Sequence, residues 1–357
     1  MRTVFDCFCG LGGLSLAAEL AGLKLIGGFD ADPNAVELYK NLFPGKLALQ
    51  HDLLIERPKT VLRKAGIARG DVSILVGGPP CQPYSINNHQ RGTDDERCGL
   101  IERYLEFVSL LRPEWLLLEN VPGFAFIAGG LFLRSLFRSL QGRGYIVRHA
   151  VFDASLFGVP QRRRRLLILA CRESRKVEGA VKQLADIRVK TVTVRDALGD
   201  LPSQPSSSAL YCETAKTQFR QMMRKGAPIV LNAHVCSNLS ERNLRRISHI
   251  PPGGNWRQIP RRLLPRGMKR AHLNDHTTRY GRLHKEKLAF TLLTKCDPHW
   301  GCFLHPVRDR VITVREAARL QSIPDRVCFG EGLTANYRLI GNAVPPLLGK
   351  GVLQILR

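Results

Sequence analysis

The first 170 residues alternate short apolar runs with segments of helical periodicity. The apolar runs are residues 3–5, 25–29, 47–49, 72–76, 115–118, 145–152 and 166–170, and helical segments lie between several of them, at 14–21, 33–42, 101–111 and 131–140. Strands that are separated by helices favour a mainly parallel sheet, because parallel neighbours need a long crossover connection. The pattern therefore predicts an α/β fold with a Rossmann-like, doubly wound sheet.

This alternation ends near residue 172. The next part of the chain is rich in turn formers, as in SQPSSS at 203–208, and helical periodicity stays weak until residue 313. The C-terminal segment VPPLLGKGVLQIL is an apolar helix that begins behind two prolines. We predict that residues 1–180 and 310–357 form one domain, and that residues 181–309 form a smaller, mostly irregular second domain.

The net charge of +24 is concentrated outside the first third of the chain. Residues 1–120 carry 13 Lys/Arg and 15 Asp/Glu, residues 121–241 carry 19 and 8, and residues 242–310 carry 16 and 4. A basic excess that is concentrated in this way favours binding to a polyanion. We expect the near-neutral part to carry the chemistry and the basic part to bind nucleic acid.

Composition narrows the class of protein further. No apolar run approaches 18 residues and the N-terminus enters a strand-like segment without a signal peptide, so we expect a cytoplasmic protein without a membrane span. The ten cysteines are scattered, with no CxxC pair and no His/Cys cluster at zinc spacing. We therefore predict no metal site and expect most cysteines to be reduced thiols.

The residues that follow the predicted strands should meet at one edge of the sheet, where the carboxyl ends of parallel strands lie. In chain order they are Asp6 with CGLGG (9–13), Asp30, Asp52, Pro80-Cys81 and Glu119-Asn120. The glycine turn allows close approach of an anionic group, and Asp30 is spaced to bind ribose hydroxyls. A nucleoside with an anionic tail, such as S-adenosylmethionine, fits this set. Helix capping explains Asp32 or Asp52 singly, but not the whole set.

Cys81 stands apart from the other cysteines because it follows Gly-Gly-Pro-Pro in VGGPPCQPYS (76–85). Such a stiff turn presents a side chain, and a thiolate nucleophile needs access and positive surroundings. The run QRRRR (161–165) precedes the last strand of this part of the chain. An antiparallel hairpin of 145–152 and 166–170 would return these arginines to the edge that carries Cys81, although a solvated turn explains them about equally well.

These segments together resemble the DNA (cytosine-5) methyltransferases of bacterial restriction–modification systems. The matching segments are FDCFCGLGG (5–13), FDADPNA (29–35), HDL (51–53), GGPPCQPYS (77–85), ENVPG (119–123), FGVPQRRRR (157–165), REAARLQSIPD (315–325) and YRLIGNAVPP (337–346). The resemblance implies methyl transfer from S-adenosylmethionine to C5 of a flipped-out cytosine in a short double-stranded DNA sequence. It also implies a covalent bond between Cys81 and C6 of the base, and protection of the DNA against a partner restriction enzyme.

The resemblance further implies the roles of individual residues. The catalytic set is Cys81, Glu119, Gln161, Arg163 and Arg165; the cofactor set is Phe8, Gly10, Gly12, Asp30, Asp52, Pro80, Asn342 and Val344; the DNA-binding set is Gln82, Ser85, Arg279, Arg282, Thr291 and Leu292. Residues 85–99 resemble the loop that closes over the flipped base. A single recognition domain and asymmetric chemistry predict a monomer, and we expect it to work at the nucleoid and to release S-adenosylhomocysteine. Departures are few: HDL replaces a glycine-aspartate pair, and Cys7 and Cys9 replace apolar or small residues.

Two alternatives remain open at this point. A transfer-RNA cytosine-5 methyltransferase of the same fold would lack a large recognition insert, whereas 181–310 is long and basic. A non-catalytic DNA-binding protein on the same scaffold would have a similar basic surface but no need for the Cys81 thiol.

Overall fold

A seven-stranded sheet organises the chain, as seen in a computed structural model that describes residues 1–79 and 99–357. The strands in these ranges are β1 (Thr3–Cys7), β2 (Lys24–Asp30), β3 (Leu47–Gln50), β4 (Ile74–Gly77), β5 (Trp115–Asn120), β6 (Ile146–Asp153) and β7 (Arg164–Cys171). Their order is β3-β2-β1-β4-β5-β7-β6. The first five strands are parallel, whereas β7 is antiparallel to both β5 and β6. The predicted α/β fold and its edge hairpin are confirmed.

Twelve α-helices occur in the described ranges. They are α1 (Gly13–Leu20), α2 (Pro33–Leu42), α3 (Pro58–Ala65), α4 (Gly99–Leu111), α5 (Leu131–Gln141), α6 (Ser174–Asp186), α7 (Val194–Leu198), α8 (Gln218–Arg224), α9 (Glu241–Ile247), α10 (Val314–Leu320), α11 (Leu333–Asn342) and α12 (Pro346–Ile355). The sequence analysis missed α3, α6, α7, α8, α9 and α11. The signal was present in α6, since Val177, Ala180 and Leu184 recur at helical spacing and are buried.

The contacts divide the chain into two compact units. The first unit comprises Met1–Phe157, Arg164–Val189 and Val344–Arg357, and the second comprises Gly158–Arg163 and Lys190–Ala343. This boundary differs from the predicted domain boundary, because α10 and α11 belong to the second unit. Arg319 of α10 gives a physical reason: its buried guanidinium pairs with Asp200 at 3.0 Å and with Asp325 at 2.6 Å, both in the same unit.

The first unit is built on the sheet and its aromatic core. The rings of Phe29 and Phe107 stack with centroids 5.2 Å apart, and Phe5 lies 6.2 Å from Phe29. The C-terminal helix packs closely on α1, because a Cβ added to Gly349 would lie 2.7 Å from that of Ala17. This contact explains why α12 belongs to the first unit, whereas α10 and α11 belong to the second.

Residues 122–141 are long and apolar enough to be a candidate membrane span by length and composition. Their helical conformation is broken between Ile127 and Gly129, and the second half, α5, buries three leucines in the core of the first unit. Arg134 and Arg138 also interrupt the apolar run. Core packing therefore explains Leu133, Leu136 and Leu140 of α5.

In the second unit, buried arginine side chains donate hydrogen bonds to carbonyl groups of the irregular backbone. In this unit, all of which the structure describes, five arginine side chains are buried: Arg163, Arg220, Arg282, Arg315 and Arg319. Irregular segments leave carbonyl groups without ladder partners, and a guanidinium offers five donors to them. Arg315, for example, donates to the carbonyl oxygens of Asn232, Pro324 and Val327. Part of the basic excess of this unit is thus internal.

Candidate active site

The carboxyl ends of the parallel strands bring several predicted site residues together in the first unit. The backbone N–H of Gly10 donates to Asp30 Oδ2 at 2.8 Å, which joins the turn after β1 to the end of β2. The Asn120 side chain at the end of β5 donates to the Pro79 carbonyl after β4 at 3.2 Å. These two contacts join the ends of neighbouring strands at the edge where the sequence predicts the site.

The turn after β1 adopts the conformation that its glycines allow. Phe8, Gly10 and Gly12 have positive φ angles of 61°, 53° and 90°. A Cβ added to Gly10 would meet no atom within 4 Å, so there is open space in front of this backbone. Burial raises the pKa of Asp30, while the Asp32 and Gly10 N–H groups oppose that shift. An open glycine turn beside a partly buried carboxyl group suits the nucleoside ligand that the sequence predicts.

The acids Asp32 and Asp52 both accept hydrogen bonds from nearby backbone N–H groups. Asp32 Oδ1 accepts from the Asn34 N–H at the start of α2 at 3.1 Å, and Asp52 Oδ1 accepts from the Leu54 N–H at 2.9 Å. Helix capping is therefore observed for Asp32, whereas Asp52 closes a turn and the N-cap of α3 is Arg57. Since a carboxylate has about four lone-pair sites, a ligand role for Asp52 stays compatible with this hydrogen bond.

Val344, a member of the predicted cofactor set, lies against the start of α1. A Cβ added to Gly13 would lie 2.2 Å from the Val344 carbonyl oxygen. We expect Gly13→Ala to destabilise the protein by about 2 to 4 kcal/mol, because one of two backbone segments must move. Thermal unfolding measures this loss. In Gly179→Ala of α6 the new Cβ meets nothing within 4 Å, so an equal loss in both variants would contradict the close-packing argument.

Glu119 and Arg165 form a buried ion pair in the first unit. Arg165 Nε lies 2.6 Å from Glu119 Oε1, and the two side chains are 11% and 9% exposed. Antiparallel pairing of β5 with β7 places them at the same end of the sheet. A Cβ added to Gly78 would lie 3.4 Å from Glu119 Oε2, so the carboxylate also lies beside the end of β4. Two of the predicted catalytic residues are thus in direct contact.

Asp6, in β1, has an unusual electrostatic setting that sequence reasoning did not identify. Its carboxyl group is buried and accepts from Ser15 Oγ at 2.7 Å, and Ser15 in turn lies 2.8 Å from the Tyr39 hydroxyl. Burial raises the pKa of Asp6 from 3.8 to about 7, and the neighbouring Asp30 adds to the shift. A buried carboxyl group therefore keeps its proton close to neutral pH beside the glycine turn.

Asp6 should make the stability of the protein depend on pH. Between the ordinary pKa and about 7 the unfolded chain is ionised while the folded chain holds the proton, so stability falls as pH rises through this window. We expect the melting temperature of the wild type to fall relative to Asp6→Asn between about pH 4 and pH 7. Melting curves of the two proteins that stay parallel across this range would contradict the prediction.

Gln161 and Arg163 lie in the second unit and are buried. Gln161 donates to the Leu320 carbonyl and to Gln321 Oε1, each at 3.1 Å. Arg163 donates to the carbonyls of Leu292 at 3.0 Å and Gly341 at 2.5 Å. Their bonds are therefore made within the protein, to elements far apart in sequence.

The predicted DNA-binding residues differ in their surroundings. Thr291 is exposed and its hydroxyl donates to the Arg162 carbonyl, whereas Leu292 is buried. Arg282 is 4% exposed and donates to the carbonyls of Ile247, Ile250, His305 and Arg308. This arginine supports the fold and is not available to a phosphate in this structure. Arg279 lies over the ring of Trp300, 4.9 Å from its centroid, and that tryptophan is half exposed.

Four predicted site residues, Pro80, Cys81, Gln82 and Ser85, lie outside the described residues, as does the loop 85–98. In the ranges 1–79 and 99–357, no group of three or more His, Cys, Asp or Glu side chains is placed to hold a metal ion.

Comparison with known proteins decides between the families that this fold can serve. The model of the C-5 cytosine-specific DNA methylases matches residues 2–356. The chain belongs to this family. The predicted resemblance and the predicted enzyme class, a DNA (cytosine-5)-methyltransferase, are confirmed. Family and fold imply S-adenosylmethionine as the methyl donor and double-stranded DNA as the substrate.

The names of individual relatives agree with this family assignment. The Type II methyltransferase M.AgeI of Thalassovita gelatinovora is 29% identical over 100% of this chain and 99% of its own. M.XorII of Xanthomonas oryzae pv. oryzae, also a Type II methyltransferase, is 30% identical over 97% and 82%. A prophage-encoded E. coli protein assigned as a DNA modification methyltransferase has a crystal structure with a TM-score of 0.79 at 24% identity, covering 100% of this chain and 98% of that one. This last likeness concerns the fold alone.

Proposed function

We propose that this methylase transfers a methyl group to C5 of a flipped-out cytosine in a short double-stranded DNA sequence, through a covalent bond between Cys81 and C6. The observation that best supports a catalytic role for this edge is the buried Glu119–Arg165 pair beside the end of β4. Cys81 follows that strand end closely in sequence. Buried charge at the carboxyl ends of parallel strands is typical of active sites.

The chemistry assigns one step to each group. The Cys81 thiolate bonds to C6, which breaks the C5=C6 double bond and leaves C5 rich in electrons. Glu119 hydrogen-bonds N3 and the exocyclic amine and so stabilises the adduct, while Arg165 orients the carboxylate. S-adenosylmethionine, when bound, supplies the methyl group. Loss of the C5 proton then restores the C5=C6 bond and releases the thiolate.

The cofactor fits the residues that the first unit brings together. Asp30 would accept from the ribose hydroxyls, and the open backbone at Gly10 would lie against the ligand. We assign Phe8, Gly12, Asp52, Pro80, Asn342 and Val344 to the same binding site. Both Asp30 oxygens already hold backbone N–H groups, which fixes the carboxylate before a ligand binds.

DNA binding is assigned to the second unit, where one segment is strongly basic and exposed. Residues 242–274 carry nine Arg/Lys and no Asp/Glu. Arg261, Arg262 and Arg266 lie in short 3-10 turns and are exposed, and within the described residues no ion pair joins them to an acid. Exposed arginines without acidic partners are available to phosphates.

The salt dependence of DNA affinity tests this assignment. Each phosphate contact that is lost should lower the slope of log affinity against log salt by about 0.9, so a variant with Arg261, Arg262 and Arg266 all changed to Ser should lose about 3. Fluorescence anisotropy with a labelled duplex at several salt concentrations measures the slope. The control variant carries the same charge loss on the first unit, at Arg138, Arg175 and Lys182. Equal slopes for the two variants would refute the assignment of phosphate contacts to these three arginines.

Transfer of labelled methyl groups from S-adenosylmethionine tests the proposed function itself. We expect label in plasmid DNA and none in transfer RNA, and bisulfite sequencing should place it at one cytosine of a short repeated sequence. Methyl label in transfer RNA alone would contradict the proposal that double-stranded DNA is the substrate.

We further propose that the enzyme acts as a monomer at the nucleoid of a prokaryotic cell. Its methylation would protect host DNA from a restriction enzyme that it does not need for activity.

A further inference from the structure

Three segments of the second unit meet at one buried group of polar side chains, which we call the junction: Gln161, Arg163 and Gln321. All three side chains are buried. The segments that they join are 160–163, 289–294 and 340–343. The first leads into Arg165, the second contains Thr291 and the third contains Asn342.

The junction fixes the segment that contains Thr291. Gln161 Oε1 accepts from the Leu292 N–H at 3.0 Å, and Arg163 Nη1 donates to the Leu292 carbonyl at 3.0 Å. Both backbone groups of Leu292 are therefore held by side chains of the QRRRR run. The Thr291 hydroxyl also donates to the Arg162 carbonyl at 2.7 Å.

The same junction fixes the backbone on both sides of Asn342. Arg163 Nη2 donates to the Gly341 carbonyl, and Gln321 Nε2 donates to the carbonyls of Ile340 at 2.8 Å and Ala343 at 3.3 Å. A Cβ added to Gly341 would lie 2.6 Å from the Leu293 carbonyl oxygen, so this turn packs directly on the second segment. Asn342 itself is exposed, while the backbone carbonyls of Gly341 and Ala343 on either side of it are held.

We propose that Gln161, Arg163 and Gln321 are positioning residues, which set Asn342 for the cofactor and Thr291 for DNA, and do not touch the reacting atoms. This inference rests on the proposed function for the roles of Asn342 and Thr291. It changes the predicted part of Gln161 and Arg163, which the resemblance had placed in the catalytic set. A fixed guanidinium fork that serves several carbonyls cannot be replaced by the single ammonium of lysine.

Conservative variants separate positioning from catalysis. We expect Arg163→Lys and Gln321→Met each to weaken S-adenosylhomocysteine binding about tenfold in calorimetry and to raise KM for plasmid DNA about tenfold, with kcat within about threefold of wild type. The matched control is Arg315→Lys, since Arg315 is also a buried donor to carbonyls of the second unit but touches none of the three segments. It should lower the melting temperature and leave the calorimetric Kd and KM unchanged.

Two results would overturn the proposal. A loss of kcat in Arg163→Lys with unchanged Kd and KM would mean that Arg163 acts on the reacting atoms. A lower melting temperature alone, as in the control, would mean that the junction only stabilises the fold. The calorimetric measurement does not require methyl transfer. Inactivity of the wild type on duplex DNA would therefore refute the proposed function, while the Kd values for S-adenosylhomocysteine would still test the role of the junction.

Discussion

Cys81→Ser should lower the rate of methyl transfer to DNA by at least about four orders of magnitude, while DNA and S-adenosylhomocysteine still bind with near wild-type affinity. The reason is chemical: C5 of cytosine is a poor nucleophile until a group adds to C6, and a serine hydroxyl is a far weaker attacking group than a thiolate at neutral pH. Single-turnover transfer of labelled methyl groups measures the rate.

A matched thiol variant controls for general effects of removing a cysteine. Cys328 is an exposed free thiol of the second unit, so Cys328→Ser should keep full activity. A pure DNA-binding protein would show equal behaviour in the two variants, with no methyl transfer in either. Methyl transfer by Cys81→Ser at the wild-type rate would refute the covalent mechanism.

Glu119→Gln should lower kcat by about two to four orders of magnitude. Glutamine keeps the shape of the side chain but can neither share a proton with N3 of the base nor pair ionically with Arg165, which lies 2.6 Å from the carboxylate. We expect little change in KM for DNA, because the lost interaction is strongest in the transition state. Steady-state kinetics on plasmid DNA measures both constants.

The second unit offers a matched control for loss of a buried ion pair. Glu316 is buried and accepts from both Nη1 and Nη2 of Arg310 at 2.8 Å. Glu316→Gln should lower the melting temperature, as Glu119→Gln also should, because each leaves an arginine without its carboxylate. Only Glu119→Gln should lose turnover. A kcat for Glu119→Gln within about threefold of wild type would remove Glu119 from the mechanism.

The sheet and its catalytic edge could be predicted from the sequence because both follow local rules. Short apolar runs separated by helical periodicity define parallel strands, and parallel strands end at one edge. The contact between Gly10 and Asp30 and the pair of Glu119 with Arg165 follow from that geometry and from the edge hairpin. Most of the segments that carry the family resemblance lie at these strand ends, whereas residues 315–325 and 337–346 lie around α10 and α11.

The second unit could not be predicted in the same way, because tertiary contacts decide which of its basic residues face solvent. Arg282 and Arg261 are both arginines of the basic stretch 242–310, yet Arg282 is buried among carbonyls, whereas Arg261 is exposed and has no acidic partner in the described residues. Arg163 is a similar case. Its acceptors, Leu292 and Gly341, are more than a hundred residues away along the chain.

A duplex that contains 5-fluorocytosine at the target position tests the central claim, a transient bond between Cys81 and the base, most directly. Fluorine at C5 cannot leave as a proton does, so the adduct should persist when S-adenosylmethionine is present. We predict a complex that survives denaturing electrophoresis, and a modified peptide containing Cys81 in its tryptic digest by mass spectrometry. Full methyl transfer to ordinary duplex DNA without any such complex, or a complex through another residue, would contradict the account.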